Sequence, residues 1–197
     1  MSDTSRKILL VQGMDDKHVV KHIWYQHYHE PPPFSIKHKG GIEELLKSIP
    51  VELGVEKIQA LGIMIDANDD PNKRWKQLVN RISRIPLHLI PEIPEPDGTI
   101  IKSQPRLGVW MMPDNQSSGE IETFIRQLIP NDDQIWPRSK RYVEDIPDKY
   151  RKFKPRKELK AKIHAWLAVR EKPRPMGVAI KTGDLDTDAL LAIQFYE

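Results

Sequence analysis

The sequence contains no cysteine. That excludes disulfides, thiolate nucleophiles and cysteine-ligated zinc or iron–sulfur centres, so any bound metal would have to be held by oxygen or imidazole. No apolar run reaches the roughly 18 residues of a membrane-spanning helix. The opening segment Met1 to Lys7 is polar and leads straight into a strand-like run, without the apolar stretch of a secretory leader, so the cytoplasm is the expected location. A Gly-rich phosphate loop is also missing, because Gly40-Gly41 is followed by Ile42, Glu43 and Glu44, an ordinary entry into a helix. Without a Gly-x-Ser-x-Gly elbow, nucleophilic catalysis has no support. His18 and His22 stand four apart, but no Glu follows His18 and the HExxH logic of a zinc protease fails.

What is present suits one compact domain, or one domain with an appendage: 197 residues, 39% apolar and 30% charged. Lys7 to Val11 is a short apolar run ended by Gly13, and Val19, Val20, Ile23 and Trp24 follow at helical spacing. Pro31-Pro32-Pro33 stops that helix, and Phe34 to His38 alternates like a half-buried strand. Ile42, Leu45, Leu46 and Ile49 then share a helical face. Leu61 to Ile65 is a third apolar run, followed by an acidic loop and a helix bearing Trp75, Leu78, Val79 and Ile82. Residues 86–105 carry Pro86, Pro91, Pro94, Pro96 and Pro105 with an Asp97-Gly98 turn, which predicts an irregular insertion or small hairpin rather than a main element. Leu107 to Met112 resumes the strand pattern before a helix with Ile121, Phe124, Ile125 and Leu128.

Four strand–loop–helix units with continuously apolar strands predict an α/β fold: a doubly wound, mainly parallel four-stranded sheet flanked by helices. Residues 1–130 form the expected core, with 86–105 as its insertion. Residues 131–197 form a basic, mainly helical C-terminal extension packed on that core, with its clearest helix from Lys157 to Val169. The net charge of +3 conceals a segregation. From Arg138 to Arg174 fourteen basic residues face five acidic ones, a charge of +9, which leaves −6 for the rest of the chain. An acidic body beside a basic stretch suits a polyanion such as nucleic acid. It equally suits a solvated helical surface whose lysines pair with that body.

In an open parallel sheet the binding crevice lies beyond the carboxyl ends of the strands, where connectivity reverses. Polar residues gather there. Gln12, Asp15 and Asp16 follow the first strand; Asp66, Asn68, Asp69 and Asp70 follow the third; Asp114 and Asn115 follow the fourth, with Glu120 and Glu122 in the next helix. Oxygen ligands converging from separate loops are what magnesium or manganese requires. The same residue types also cap helices and turns, a role open to Asp15, Asp69 and Ser118. Lys160 projects on the apolar side of the C-terminal helix, where it can either reach a phosphate or lie along Trp166, and Lys162 sits on the flank.

The order Leu9-Leu-Val-Gln-Gly-Met-Asp-Asp16, Ile63-Met-Ile-Asp-Ala-Asn-Asp-Asp70 and Met112-Pro-Asp-Asn followed by Gly119-Glu-Ile-Glu122 resembles the TOPRIM (topoisomerase-primase) domain. The likeness is to the branch of OLD-like nucleases and to a small group of stand-alone bacterial proteins of unknown function. With that small group it extends through Lys160 to Ala168 and Leu185 to Ala189. The resemblance implies a Glu after the first strand and an Asp-x-Asp after the third that hold magnesium or manganese for phosphodiester chemistry, with a later Glu and Lys. Here the first Glu falls at Gln12 and the second Asp at Asn68, two amides where the family has carboxylates, while Asp66 and Glu122 match. An amide oxygen can coordinate a hard cation but lends no charge, and Gln cannot act as a base.

Two expectations follow. In the first, Asp16, Asp66, Asp70 and Asp114 are metal ligands, Glu122 is a ligand or base, and Lys160 or Lys162 contacts phosphate in metal-dependent cleavage of nucleic acid. In the second, Gln12 and Asn68 mark a degenerate metal site, and the protein is a non-catalytic nucleic-acid-binding or regulatory partner of another protein such as an ATPase.

Overall fold

A computed structural model describes residues 6–85 and 89–196. Five strands form one sheet: β1 (Lys7–Val11), β2 (Ser35–His38), β3 (Ala60–Asp66), β4 (Thr99–Ile101) and β5 (Arg106–Met112). Their spatial order is β2-β1-β3-β5-β4, and every pairing is parallel except β4 with β5. The expected four-stranded sheet is therefore corrected to five. Part of the proline-rich 86–105 stretch joins the main sheet as an antiparallel edge, with Thr99 opposite Val109 and Ile101 opposite Leu107. Residues 86–88 of that stretch lie outside the described residues.

Strict alternation along the strands explains why both faces are covered. Ile8, Leu10, Leu61, Ile63, Ile65, Leu107, Val109 and Met111 point to one side, where they pack with α2 (Ile42–Leu53) and α3 (Pro71–Ile82). Leu9, Val11, Met64, Trp110 and Met112 point to the other, packing with α1 (Met14–Tyr28) and α4 (Ile121–Leu128). Residues beyond 130 share this second core. They form α5 (Trp136–Glu144), α6 (Glu158–Ala168), α7 (Met176–Lys181) and α8 (Leu190–Tyr196). From them Ile163, Trp166, Leu167, Met176 and Ile180 are buried in the same cluster as Val11 and Met112. No helix among the described residues is long and apolar enough to cross a membrane.

The topology fixes where a site can lie. The chain leaves β1 for β2 on one side and then returns past β1 to β3 on the other. The connectivity therefore reverses between β1 and β3, whose parallel carboxyl ends open a crevice between the loops that leave them.

Candidate functional site

A cleft of about 650 Å³ occupies that crevice. Its lining comes from five loops or helix starts: Gln12 to Asp16 after β1, Gly40 to Ile42 after β2, Asp66, Asn68 and Arg74 after β3, Glu120 to Glu122 after β5, and Arg156, Lys157 and Lys160 from the C-terminal region.

Asp16 is buried at the first turn of α1, where its Oδ2 accepts from the Gly13 backbone N–H at 2.9 Å. That bond orients the carboxylate, and the preceding strand end places it over the sheet. Burial raises its pKa to about 6, helped by the charges of Glu122 and Asp15 and opposed by its backbone hydrogen bonds. Asp66 ends β3 and points to the same face as Met64. Its Oδ1 accepts from the Ile121 backbone N–H at 3.1 Å, so it holds the N-terminus of α4 in place. Burial, followed by the charges of Asp16, Glu120 and Glu122, pushes its pKa up to about 7. The mutual charges mean that four carboxylates from three segments feel one another across a partly desolvated cleft.

Two lysines of the C-terminal region answer two of these acids. Lys160 Nζ donates to Glu122 Oε1 at 2.6 Å, and Lys157 Nζ donates to Glu120 Oε2. Burial works to lower the Lys160 ammonium, but the hydrogen bond and charge of Glu122 outweigh it and hold its pKa above the usual lysine value. Arg74, which also lines the cleft, donates from Nε to the Asp66 backbone carbonyl at 3.0 Å. Asp16 and Asp66 themselves have no direct ion pair among the described residues.

The two amides sit inside this arrangement. Asn68 adopts a left-handed backbone (φ 55°) and exchanges backbone hydrogen bonds with Gly119 at 2.7 and 2.8 Å, which ties the loops after β3 and β5 together. Its amide, oriented to satisfy both neighbours, donates to Glu120 Oε1 at 3.1 Å and accepts from Arg74 Nη2 at 2.5 Å. Gln12 also lines the cleft, and its Nε2 is buried without a hydrogen-bond partner.

Asp16, Asp66, Glu122 and Lys160 thus meet in the cleft, and three other expected residues do not line it. Asp70 is the N-cap of α3, its Oδ1 accepting from the Lys73 N–H at 2.9 Å. Asp114 closes a turn by accepting from the Gln116 and Ser117 N–H groups at 3.0 and 2.7 Å. Lys162 turns toward α5, reaching Glu144 at 2.7 Å and Glu158 at 2.6 Å. The basic stretch is divided in the same way. Arg156, Lys157 and Lys160 face the cleft, whereas Arg170 and Arg174 pair with Asp133 and Asp184 at 3.1 and 3.2 Å. Sequence reading missed Arg74 and Lys157. Arg74 lies four residues beyond the Asp70 cap, so the first turn of α3 carries it back over the end of β3, a signal available from spacing alone.

The family described as protein of unknown function (DUF3226) matches residues 6–197. The chain belongs to that family. Comparison with curated proteins and with solved structures returned no match.

The chemistry open to the cleft follows from its donor set. No group of three or more His, Asp or Glu among the described residues is disposed to enclose a metal ion. Magnesium, however, is commonly held by one or two carboxylates, with water and substrate phosphate completing the shell. Asp16 and Asp66 each commit one oxygen to a backbone N–H, which leaves their other oxygens as the candidates for that smaller role.

Proposed function

We propose that the cleft is a TOPRIM-like site in which Asp16 and Asp66 hold a magnesium or manganese ion for phosphodiester chemistry on nucleic acid. The observation that carries this reading is the uncompensated pair itself. Two desolvated aspartates, one in the first turn of α1 and one at the end of β3, line the cleft at the switch point, with pKa values raised to about 6 and about 7 by burial and by neighbouring carboxylates. A divalent cation between them would replace the protons that such a pair otherwise retains. Arg156, Lys157 and Lys160 line the same cleft, and the two lysines would have to exchange Glu120 and Glu122 for a phosphate bound at the ion in order to supply its counter-charge. Glu122, which lines the same cleft, would serve as a further ligand or as the base toward an attacking water.

A second reading rests on a different observation. Gln12 offers an amide where the resemblance calls for a carboxylate, and the Asn68 side chain is engaged by Glu120 and Arg74. These features suit a non-catalytic site that binds nucleic acid or a partner protein without cleaving.

Manganese titration by calorimetry, with cleavage assays on single- and double-stranded DNA and RNA, separates the two. The first reading expects saturable metal binding that Asp66→Asn abolishes, with cleavage lost in the same variant. Metal binding without cleavage, accompanied by cleavage in Gln12→Glu, would establish the second. Absence of metal binding at pH 8, where both aspartates are ionised, would sink the first.

A further inference from the structure

The amino-terminal ends of the parallel strands, at the other end of the sheet from the carboxylate cleft, carry a row of positive charge. Lys7, Ala60 and Arg106 are the first residues of β1, β3 and β5 and stand side by side in register. Neighbours in register point to the same face of a sheet. Ile101 pairs with Leu107, so the next antiparallel step sets Lys102 beside Arg106. Three cations therefore share one end of the sheet, and the position between Lys7 and Arg106 carries only a methyl group. These four residues, with Gln59, Ser103 and Gln104, line a pocket of about 430 Å³.

The row has no counter-charge among the described residues. No carboxylate lines the pocket. Lys7, Lys102 and Arg106 form no ion pair, whereas Lys162, Arg170 and Arg174 are each answered by an acid. Like charges set beside one another across strands are unfavourable, so three of them around one pocket favour the entry of an anion. All three side chains are exposed and can turn toward it. Gln59 and Gln104 add amide donors to the lining.

We infer that this pocket binds a small phosphate monoester, its phosphate held by Lys7, Lys102 and Arg106 over Ala60. A monoester presents three terminal oxygens and a charge of about −1.5 to −2 near pH 7, which three cations match. A carboxylate, or a diester of a nucleic-acid backbone, offers a single charge and two free oxygens. The volume of about 430 Å³ falls within the roughly 300–1,000 Å³ of small-molecule sites, so the pocket has room for the body of the ester beside its phosphate. With Gln59 and Gln104 in the lining, that body is a polar one such as a sugar. This site is independent of the metal reading of the cleft.

Ribose 5-phosphate is the test ligand, with ribose and a short oligothymidylate lacking terminal phosphates as comparisons. Binding is followed through the backbone amides in ¹H–¹⁵N spectra of the full-length protein, in EDTA so that no metal recruits phosphate to the cleft. The expected result is saturable movement of the Lys7, Ala60, Lys102 and Arg106 signals with the ester, none with ribose, and weaker binding of the oligothymidylate. Arg106→Gln should cut affinity about tenfold. Ala60→Glu, which sets a carboxylate between Lys7 and Arg106, should cut it at least as far, with cooperative thermal unfolding showing that both variants are folded. The inference is overturned if the native protein shows no saturable movement, or if folded Arg106→Gln and Ala60→Glu proteins bind as the native one does. Movement confined to Gly13 to Asp16 and Glu120 to Glu122 would also overturn it, by giving the phosphate to the cleft. So would tighter binding of the oligothymidylate, which would give the cations to a diester backbone.

Discussion

Lys160 Nζ lies 2.6 Å from Glu122 Oε1, and of the two side chains Lys160 is 40% exposed whereas Glu122 is only 4% exposed. The pair joins α6 to the first turn of α4 across the cleft. Lys160→Met would leave Glu122 a buried, unpaired carboxylate. The expected loss at pH 7 is about 1–3 kcal/mol, below the 3–5 kcal/mol of a fully buried pair because solvent reaches the lysine. Urea unfolding of the single variants and of Lys160→Met with Glu122→Gln checks it. If the double variant is no more stable than the sum of the two predicts, the pair is not coupled.

Asp66 and Asp16 set a pH dependence of defined sign. Their folded pKa values, about 7 and about 6, lie above the ordinary 3.8, so the folded state binds more protons than the unfolded chain between those limits. Their contribution is fully present below pH 4 and is lost as pH rises toward 7. Asp66→Asn keeps an oxygen for the Ile121 N–H and removes the charge. It should therefore raise stability at pH 8 by at most about 4 kcal/mol and change it little at pH 4. Thermal unfolding at the two pH values decides the matter. An equal effect at both would show that charge is not the cause.

The parts of this architecture that could be read in advance are those set by local pattern. The apolar runs of β1, β3 and β5 stand out because strands buried on both faces have no polar alternation to confuse them. β4 is different: its three residues have no pattern of their own, and only the antiparallel pairing with β5 defines them. The site divides in the same way. Asp66 is legible because it directly follows the apolar run Leu61 to Ile65. Asp70 and Asp114 look identical in composition, yet each lies in a turn whose free N–H groups claim its oxygens. The choice between Lys160 and Lys162 depends on how α6 rotates against α4 and α5. Periodicity could rank those two faces but not assign partners 18 and 38 residues away.

Glu52 gives the opposite pH sign. It is buried on α2 and accepts from Lys37 Nζ at 2.8 Å and Lys39 Nζ at 2.7 Å, pinning the edge strand β2 and the residue after it to the helix. Burial would raise its pKa, but the two lysines outweigh burial and hold it below the usual 4.5. Its contribution is therefore present above pH 4.5 and is lost as pH falls through the lowered folded value. Glu52→Gln is expected to cost about 1 kcal/mol at pH 7, modest because Lys37 is 44% exposed, and to cost progressively less below pH 4. Chemical denaturation at pH 7 and pH 3.5 measures the difference. A constant loss would point to packing instead.

Two glycines should answer the same substitution in opposite ways. Gly177, in the first turn of α7, approaches the backbone of α1 so closely that a Cβ would stand 2.7 Å from the His18 carbonyl carbon and 2.8 Å from its oxygen. Backbone cannot swing aside as a flexible side chain can, so Gly177→Ala must push α7 away from α1. That movement would loosen the buried Met176, Ala179 and Ile180. Alanine is favoured over glycine by about 1 kcal/mol within a helix, and overpacking of this kind costs about 1–3 kcal/mol, so a net loss of about 1 kcal/mol or more is expected. Gly108→Ala is the control. Its Cβ meets nothing within 4 Å and its backbone is not in the left-handed region, so stability should be unchanged or slightly increased. Equal destabilisation of both variants by thermal unfolding would show that lost glycine flexibility, and not the contact with His18, governs Gly177.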